Sequence, residues 1–353
     1  MTRFLSLVIC SLLFVAPATG QDSIDLMVDG VGLSIGDSKE VTGLRLNFRD
    51  RAMRRVTGIN ATIWLPYNNH GGDVHGIALG LPSTGADNIT GIGSALMAVA
   101  ANEDAKGIMF GGVAAGAGND LMGLAAGGLG VGAGRDIEGI VTGSLGAGAG
   151  RNLEGIAVAG LGVGAGNDVK GILVAGLGAG AGNDLVGIAV SGVGAGAGRD
   201  VTGIIVSGFG AGAGQDATGI MISGLGTGAG RNLTGISIGG LGTGAGDTLR
   251  GLHIAGLGVG GTNVRGVMVS GLTAGGHDVY ALSIAPAYFS VDHGGKMRGL
   301  SVSSYNRIQG EQKGVTIGIL NYARKLSGYQ IGLINVASNK DRFRIMPFIN
   351  FAR

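Results

Sequence analysis

One sixteen-residue unit decides the fold of this chain: Gly155-Ile-Ala-Val-Ala-Gly-Leu-Gly-Val-Gly-Ala-Gly-Asn-Asp-Val-Lys170. Its opening glycine, followed by Ile or Leu, returns every sixteen residues. The glycines at this position are Gly91, Gly107, Gly123, Gly139, Gly155, Gly171, Gly187, Gly203, Gly219, Gly235 and Gly251. Looser copies extend upstream to Gly43 and downstream to Gly328. A uniform centre with irregular ends indicates an array in which each repeat packs only against its neighbours.

The unit predicts strands and excludes helix. Each glycine in a helix interior would cost about 1 kcal/mol relative to alanine, whereas apolar residues alternate here as they do in strands. The alternation changes phase between Val158 and Leu161, which predicts a bend at Gly160. A second bend at Asn167-Asp168 closes the rung, because these residues favour turns. We therefore predict an all-β repeat solenoid with 16-residue rungs, stacked about 4.8 Å apart.

In such a stack, each position of the unit becomes a column of equivalent residues. We expect one interior column to contain the isoleucine that follows the opening glycine, and its members are Ile156, Ile172, Ile188, Ile204, Ile220 and Ile236. The positions after the bend, Gly162, Gly164 and Gly166, point outward and form a flat glycine face.

The alternative fold is an up-and-down outer-membrane β-barrel with one strand per unit, which a sixteen-residue period also suits. Three features count against it. Neither face of the central strands is polar, aromatic girdles are missing from the central repeats, and the repeat steps are identical, whereas barrel turns differ in length between the two sides.

Composition limits the class of protein. The chain has 353 residues, 77 of them glycine, with 45% hydrophobic and 14% charged residues, whereas average proteins have about 7% glycine and about 25% charged residues. Glycine without a triplet repeat excludes collagen, and the high apolar content argues against disorder. The net charge of +2 and the lack of a basic cluster interleaved with aromatics predict no nucleic-acid partner.

Four segments follow from these patterns. Residues 1–20 resemble a signal peptide, with Arg3, an apolar run and small residues before position 20. Residues 21–90 are irregular N-terminal β repeats, residues 91–265 are the regular glycine-rich repeats, and residues 266–353 are aromatic-richer repeats with a C-terminal cap. The single cysteine, Cys10, lies in the predicted signal peptide, so the exported chain would contain no disulfide.

The turn of the unit contains the strongest candidate for a binding site. The string Gly-Ala-Gly-Asn-Asp is similar to calcium-binding nonapeptide repeats, although its period and the position of its apolar residue differ. The carboxylates that would bind calcium are Asp120, Asp136, Asp168, Asp184, Asp200 and Asp216. Calcium requires six or more oxygen ligands. We favour the simpler interpretation, in which Asx side chains cap the turn and preceding arginines such as Arg199 offset carboxylate repulsion.

No pattern of catalytic residues emerges. The Gly-x-Gly-Ala-Gly strings lack the strand–turn–helix context of nucleotide-binding loops. The histidines show no metal-binding spacing, and no serine lies in a nucleophile elbow. Acidic residues recur along a turn edge and do not cluster as in polysaccharide-cleaving enzymes. We therefore predict a protein that is not an enzyme, with no catalytic, cofactor-binding or resident metal site.

The outer repeats resemble a known family. The segments that carry the resemblance are Gly43-Leu-Arg-Leu-Asn-Phe48, Gly76-Ile-Ala-Leu-Gly-Leu81, Gly314-Val-Thr-Ile-Gly-Ile-Leu-Asn-Tyr-Ala-Arg324, Gln330-Ile-Gly-Leu-Ile-Asn-Val-Ala337 and Met346-Pro-Phe-Ile-Asn350. They are similar to uncharacterised bacterial glycine-rich surface-repeat proteins. The resemblance implies export in a Gram-negative bacterium and supplies no activity and no catalytic residues.

Together these patterns predict an exported structural or surface-interaction protein, adhesin-like and non-catalytic. The expected location is the cell surface, the outer membrane or the periplasm. The partner is not specified by the sequence, with self-association and a cell-surface partner as candidates. The alternative function, an outer-membrane barrel or channel, depends on the alternative fold.

Overall fold

A computed structural model describes residues 23–67 and 71–352. The predicted signal peptide, residues 1–20, lies outside the described residues. The chain divides into two compact units, Met1–Gly143 and Ser144–Arg353. The described part of both units is built from strands without a helix. Accordingly, no helix among the described residues is long and apolar enough to cross a membrane.

The first unit contains thirteen strands in its described residues. They are β1 (Ser23–Val28), β2 (Val31–Gly36), β3 (Glu40–Asn47), β4 (Arg55–Thr62), β5 (Asp73–Gly80), β6 (Ser83–Ala86), β7 (Asn88–Ala95), β8 (Ala98–Ala101), β9 (Ala105–Gly111), β10 (Ala114–Ala117), β11 (Leu121–Gly127), β12 (Gly130–Ala133) and β13 (Ile137–Gly143).

The second unit contains the remaining twenty strands of the described chain. They are β14 (Gly146–Ala149), β15 (Leu153–Ala159), β16 (Gly162–Ala165), β17 (Val169–Ala175), β18 (Gly178–Ala181), β19 (Leu185–Ser191), β20 (Gly194–Ala197), β21 (Val201–Ser207), β22 (Gly210–Ala213), β23 (Ala217–Ser223), β24 (Gly226–Ala229), β25 (Asn232–Gly239), β26 (Gly242–Ala255), β27 (Gly258–Ser270), β28 (Thr273–Ile284), β29 (Tyr288–Val302), β30 (Tyr305–Gln312), β31 (Val315–Leu326), β32 (Tyr329–Ala337) and β33 (Ile345–Phe351).

The first unit begins with an antiparallel hairpin and continues as a solenoid. Strands β1 and β2 are joined by Asp29 and Gly30, both with positive φ, as a tight hairpin turn requires. From β2 onward the pairing is parallel. The longer strands then stack as β5, β7, β9, β11 and β13, and the shorter ones as β6, β8, β10 and β12.

In the second unit each central rung consists of a seven-residue strand, a corner and a four-residue strand, as in β15 and β16. Each strand pairs in parallel with its equivalent sixteen residues later, for example Gly155 with Gly171. From β26 onward the short and long strands merge into longer ones. The last strand, β33, pairs antiparallel with β32, at the place where the sequence predicts a cap.

The parallel register confirms the predicted solenoid, including the corners at Gly160 and at Asn167-Asp168. The alternative fold, an up-and-down barrel, is wrong because it requires antiparallel pairing between consecutive strands. Here the short and long strands of a rung do not pair with each other but with the equivalent strands of neighbouring rungs.

Backbone geometry explains why glycine opens the rungs. Gly203 has a φ of 138°, a conformation that residues with a Cβ rarely adopt. A Cβ at this position would also overlap the carbonyl oxygen of Gly187 in the preceding rung. The same holds in the rungs from Gly43 to Gly266, so these rungs need glycine there if they are to stack at strand spacing. In β28 the equivalent residue is Ala281, which does not have a positive φ.

The interior column predicted from the sequence is wrong. Ile172, Ile188, Ile204 and Ile236 are exposed on the outer surface of the long strands, and Ile156 and Ile220 are half-buried there. The neighbours that point inward are instead the residues equivalent to Ala157 and Ala159. In the central rungs one set of alternate positions faces the core along both strands, and Leu161 at the corner points outward.

Small side chains explain this orientation. The two sheets of a rung enclose a core whose column at Ala159 contains only Ala, Ser and Gly in the central rungs. The opposing column, which begins with Val163, contains mostly Ala and Thr. A larger Leu, Ile or Met fits only further from the corner, as at Leu173 and Ile205. Close packing therefore keeps the bulky Ile and Val columns outside.

Candidate functional site

The candidate functional site is the outer surface of the long strands in the second unit, which we call the aliphatic face. It consists of three columns over the seven rungs from β15 to β26. The first column is Ile156, Ile172, Ile188, Ile204, Ile220, Ile236 and Leu252; the second is Val158, Val174, Val190, Val206, Ile222, Ile238 and Ile254; the third, at the corner, is Leu161, Leu177, Val193, Phe209, Leu225, Leu241 and Leu257.

Most of these side chains are well exposed for apolar residues, while Ile156, Ile220, Ile238, Leu252 and Ile254 are half-buried. The exposed fraction is 36% for Ile204, 51% for Leu177 and 54% for Phe209. Seven rungs at about 4.8 Å and six residues at about 3.3 Å give a face of about 700 Å². The largest apolar patch on a typical monomer is only about 300–600 Å², and larger patches mark interaction sites.

One edge of the aliphatic face is formed by an exposed column of mixed character, which we call the flanking column. In β15 to β26 it consists of Glu154, Lys170, Val186, Thr202, Thr218, Thr234 and Arg250. Its acidic end therefore lies at β15 and its basic end at β26. The adjacent isoleucine column changes only once, to Leu252, over the same rungs.

The short strands present the predicted glycine face on the other side of the rung. Positions equivalent to Gly162 and Gly164 point outward, and a Cβ at Gly210 would meet nothing within 4 Å. Further along the same columns glycine gives way to Tyr288, Tyr305 and other large residues. The ring centroids of Tyr288 and Tyr305 are 5.4 Å apart, so the glycine face ends where these aromatic side chains replace glycine.

The aspartates proposed as calcium ligands form an inter-rung clamp. The Oδ1 atom of Asp184 accepts the backbone N–H of Asp200 in the next rung at 3.3 Å. Both Oδ atoms of Asp184 also accept the guanidinium of Arg199. The same backbone bond recurs along the column, at 3.3 Å from Asp136 to Asp120 and at 3.1 Å from Asp216 to Asp200. The sequence interpretation was that Asx side chains cap the turn and that arginines offset carboxylate repulsion. In the structure each of these carboxylates accepts the backbone N–H of the equivalent residue in the following rung, and Asp184 pairs with Arg199 of that rung.

The ion pairs of the clamp shift the pKa values of the paired aspartate and arginine side chains. The guanidinium of Arg231 holds the pKa of Asp216 below its ordinary value. The hydrogen bonds that Arg135 donates to Asp120 and Arg199 donates to Asp184 raise the pKa of these two arginines. Successive calcium candidates lie one rung apart, except that Asn152 occupies the rung between Asp136 and Asp168. No group of three His, Cys, Asp or Glu side chains in the described part of the chain is arranged to hold a metal ion.

Polar groups occupy the interior where the first unit begins. Arg45 is fully buried and donates to the backbone oxygen of Ser38 at 2.9 Å and to Asn60 Oδ1 at 2.8 Å. It also forms an ion pair with buried Asp50, which accepts Thr62 Oγ1 at 2.6 Å. The apolar neighbours in the same strand point outward, so this end of the core depends on a hydrogen-bonded charge pair.

The second unit has a comparable polar interior after β25. Asn306, Asn321 and Asn335 form a buried ladder with Nδ2–Oδ1 distances of 2.8 Å. Upstream of it, the Nδ1 of buried His253 lies 2.7 Å from Ser237 Oγ, while its Nε2 has no hydrogen-bond partner. Burial lowers the pKa of His253 to about 4, so the imidazole is neutral at pH 7.

The first unit contains a separate apolar pocket of about 400 Å³ on its outer surface. Its lining includes Leu46, Leu79, Leu81, Leu96 and Phe110. The isoleucine column is exposed there too, at Ile92 and Ile108. The outward orientation of large apolar residues is thus a property of both units.

Sequence reasoning missed the aliphatic face because it placed the isoleucine column inside. One signal in the sequence could have revealed it. Around the buried charge pair, Arg45 and Asn47 alternate with Leu44, Leu46 and Phe48, so if the polar set faces inward the apolar set must face outward.

Comparisons with protein-family models, with curated proteins and with solved structures find no match.

Proposed function

We propose that this chain is an exported, non-catalytic repeat protein that acts by presenting its aliphatic face to a partner at the surface of a Gram-negative cell. The repeats themselves support this proposal. Over the seven rungs the flanking column varies from Glu to Lys, Val, Thr and Arg, whereas the isoleucine and valine columns keep branched aliphatic side chains. Outward positions that only faced water would be free to vary in the same way.

The interior strengthens the argument. Buried positions accept Ala, Ser, Thr, His and Asn along the chain, so they tolerate small and polar residues. The exposed columns of β15 to β26 do not, although a solvated sheet face ordinarily carries polar residues. In the first unit the valine column is less uniform and includes Thr142, Ala126 and Ser94. A uniform aliphatic surface of this size is costly in water and is explained by contact with an apolar partner surface.

Export is supported by the pattern of residues 1–20 and by the family resemblance. The adhesin-like assignment follows from combining export with a large interaction face. The channel alternative depended on the barrel fold and is not carried forward.

The test compares cell-surface retention of two variants in the native host. Ile204→Lys places a charge at the centre of the aliphatic face, and Gly210→Lys places the same charge on the glycine face of the same rung, where a Cβ meets nothing within 4 Å. Retention is measured by protease accessibility on intact cells. We expect the native chain and Gly210→Lys to be retained and Ile204→Lys to be released. Equal retention of both variants, or a native chain found only in the cytoplasm, would contradict the proposal.

A further inference from the structure

We propose that the aliphatic face of the second unit binds the same face of a second copy of this chain, with the two solenoid axes antiparallel. This inference rests on the proposed function in one respect only, the assignment of the aliphatic face as an interaction surface, and it names the partner. It does not depend on where the protein is located.

The size of the face suits a stable dimer. Two copies of a face of about 700 Å² would bury about 1,400 Å², within the range of about 1,200–2,000 Å² found for specific protein–protein interfaces. The columns on the long strands keep one register, because their rungs pair without a shift from β15 to β25. Repeated columns in one register can match their own equivalents in a second copy, as a two-fold interface requires.

The charges of the flanking column select the orientation. If the two-fold axis runs along the strands through the rung of Thr202, each column meets its own equivalent with the order of rungs reversed. Glu154 of one copy then lies opposite Arg250 of the other, and Lys170 lies opposite Thr234. If the axis ran along the solenoid, the flanking column would meet the corner column, and Glu154 would lie opposite Leu161. The antiparallel arrangement therefore pairs Glu154 with the opposite charge of Arg250, whereas the arrangement with the axis along the solenoid would place Glu154 against Leu161.

The same charges argue against a lipid surface as the occupant. Faces that lie on membranes combine an apolar side with an excess of Lys and Arg and with aromatic anchors. The flanking column carries Glu154 beside Lys170 and Arg250, and Phe209 is the single aromatic residue in the three columns of the face. An aliphatic surface with charges of both signs at opposite ends fits a second copy better.

The first experiment measures mass in solution by light scattering over about 1–100 μM. It uses the full chain with Cys10→Ser, which removes the single native cysteine. We expect a dimer for this chain and for Gly210→Lys, and at least a tenfold weaker association for Ile204→Lys. A native chain that is monomeric at 100 μM would overturn the proposal. If that monomer binds vesicles of phosphatidylethanolamine and phosphatidylglycerol, the occupant is lipid.

Single cysteines test the orientation and keep the proposal falsifiable if Ile204→Lys fails to fold. Val206→Cys lies in the central rung, so it should form a disulfide with its own copy under mild oxidation. Val158→Cys should not, because about six rungs, or about 29 Å, would separate the two copies, far beyond the reach of a disulfide. A mixture of Val158→Cys with Ile254→Cys should form the heterodimer, since these positions meet in the antiparallel arrangement.

The glycine face provides the control. Gly210→Cys should remain unlinked, because it points away from the interface. Linking of Gly210→Cys without Val206→Cys would mean that the glycine faces stack, and self-linking of Val158→Cys would mean a parallel arrangement; either result overturns the proposal. An antiparallel dimer found in a chain that is not displayed at the cell surface would refute the proposed function and leave this inference intact.

Discussion

Acidification should weaken the second unit through a single buried side chain, His253. Its ring lies in the interior, where Nδ1 contacts Ser237 Oγ and Nε2 has no hydrogen-bond partner. Burial lowers its pKa to about 4, because a charged imidazolium would lose its hydration there. The same column contains Met268 in the following rung, so His253→Met is a variant that keeps an unbranched side chain of similar size.

The magnitude follows from the two pKa values. In the unfolded chain the imidazole binds a proton near pH 6.5, whereas in the folded chain it does so near pH 4. Between these values the unfolded state binds more protons, so stability falls as the pH falls. A difference of about 2.5 units corresponds to about 3 kcal/mol. The contribution is fully present above pH 6.5 and is lost by about pH 4.

Urea unfolding followed by circular dichroism at pH 7.5, 5.5 and 4 measures this effect in the native chain and in His253→Met. Carboxylates elsewhere titrate equally in both chains, so their contribution cancels in the comparison. We expect the native chain to lose about 3 kcal/mol more than the variant between pH 7.5 and pH 4. Parallel pH profiles, or an imidazole that titrates near pH 6.5 by NMR in the folded chain, would refute the reasoning.

Two further predictions concern the backbone and the buried charge pair. Gly203→Ala should lower the free energy of unfolding by more than about 1–2 kcal/mol, because the new Cβ would sit on a left-handed backbone and overlap the preceding rung. The control Gly210→Ala, on the open glycine face, should change the free energy of unfolding little. Equal urea midpoints for the two variants would contradict the stacking argument. Arg45→Met should cost about 3–5 kcal/mol because it leaves Asp50 buried without its ion pair, while exposed Arg54→Met should be nearly neutral in the same urea unfolding assay. A neutral Arg45→Met would show that the network is hydrated.

Much of the fold could be predicted because it depends on repetition and on backbone geometry. The sixteen-residue step between Gly155 and Gly171 fixed the rung length, and the turn residues Asn167 and Asp168 marked a corner. The turn and the charge compensation at the aspartate column also followed from residue type, since Asp and Asn favour turns and an arginine one residue before offsets their charge. These features depend on neighbouring residues in the sequence, whereas the bond from the N–H of Asp200 to Asp184 joins two rungs and was not predicted.

The orientation of the long strand could not be predicted in the same way. Along Ile156, Ala157, Val158 and Ala159 both sets of alternate positions are apolar, so hydrophobicity does not distinguish the face that is buried. The choice depends on volume, because the sheets approach closely near the corner and leave room mainly for Gly, Ala, Ser or Thr, with Val at Val163 and Val259. The volume available to a side chain depends on two strands that pack against each other, and these strands are not adjacent positions of one strand in the sequence.

The sequence by itself determined the period, the corners, the positions that must be glycine and the parallel stacking of equivalent residues, because each of these follows from one chain segment repeating its own geometry. Only the tertiary structure decided which side of each strand faces the core, that Arg45 and His253 are buried, and that the isoleucine column is exposed. The physical reason is that burial depends on the space between two sheets, and that space is set by side chains from both short and long strands together.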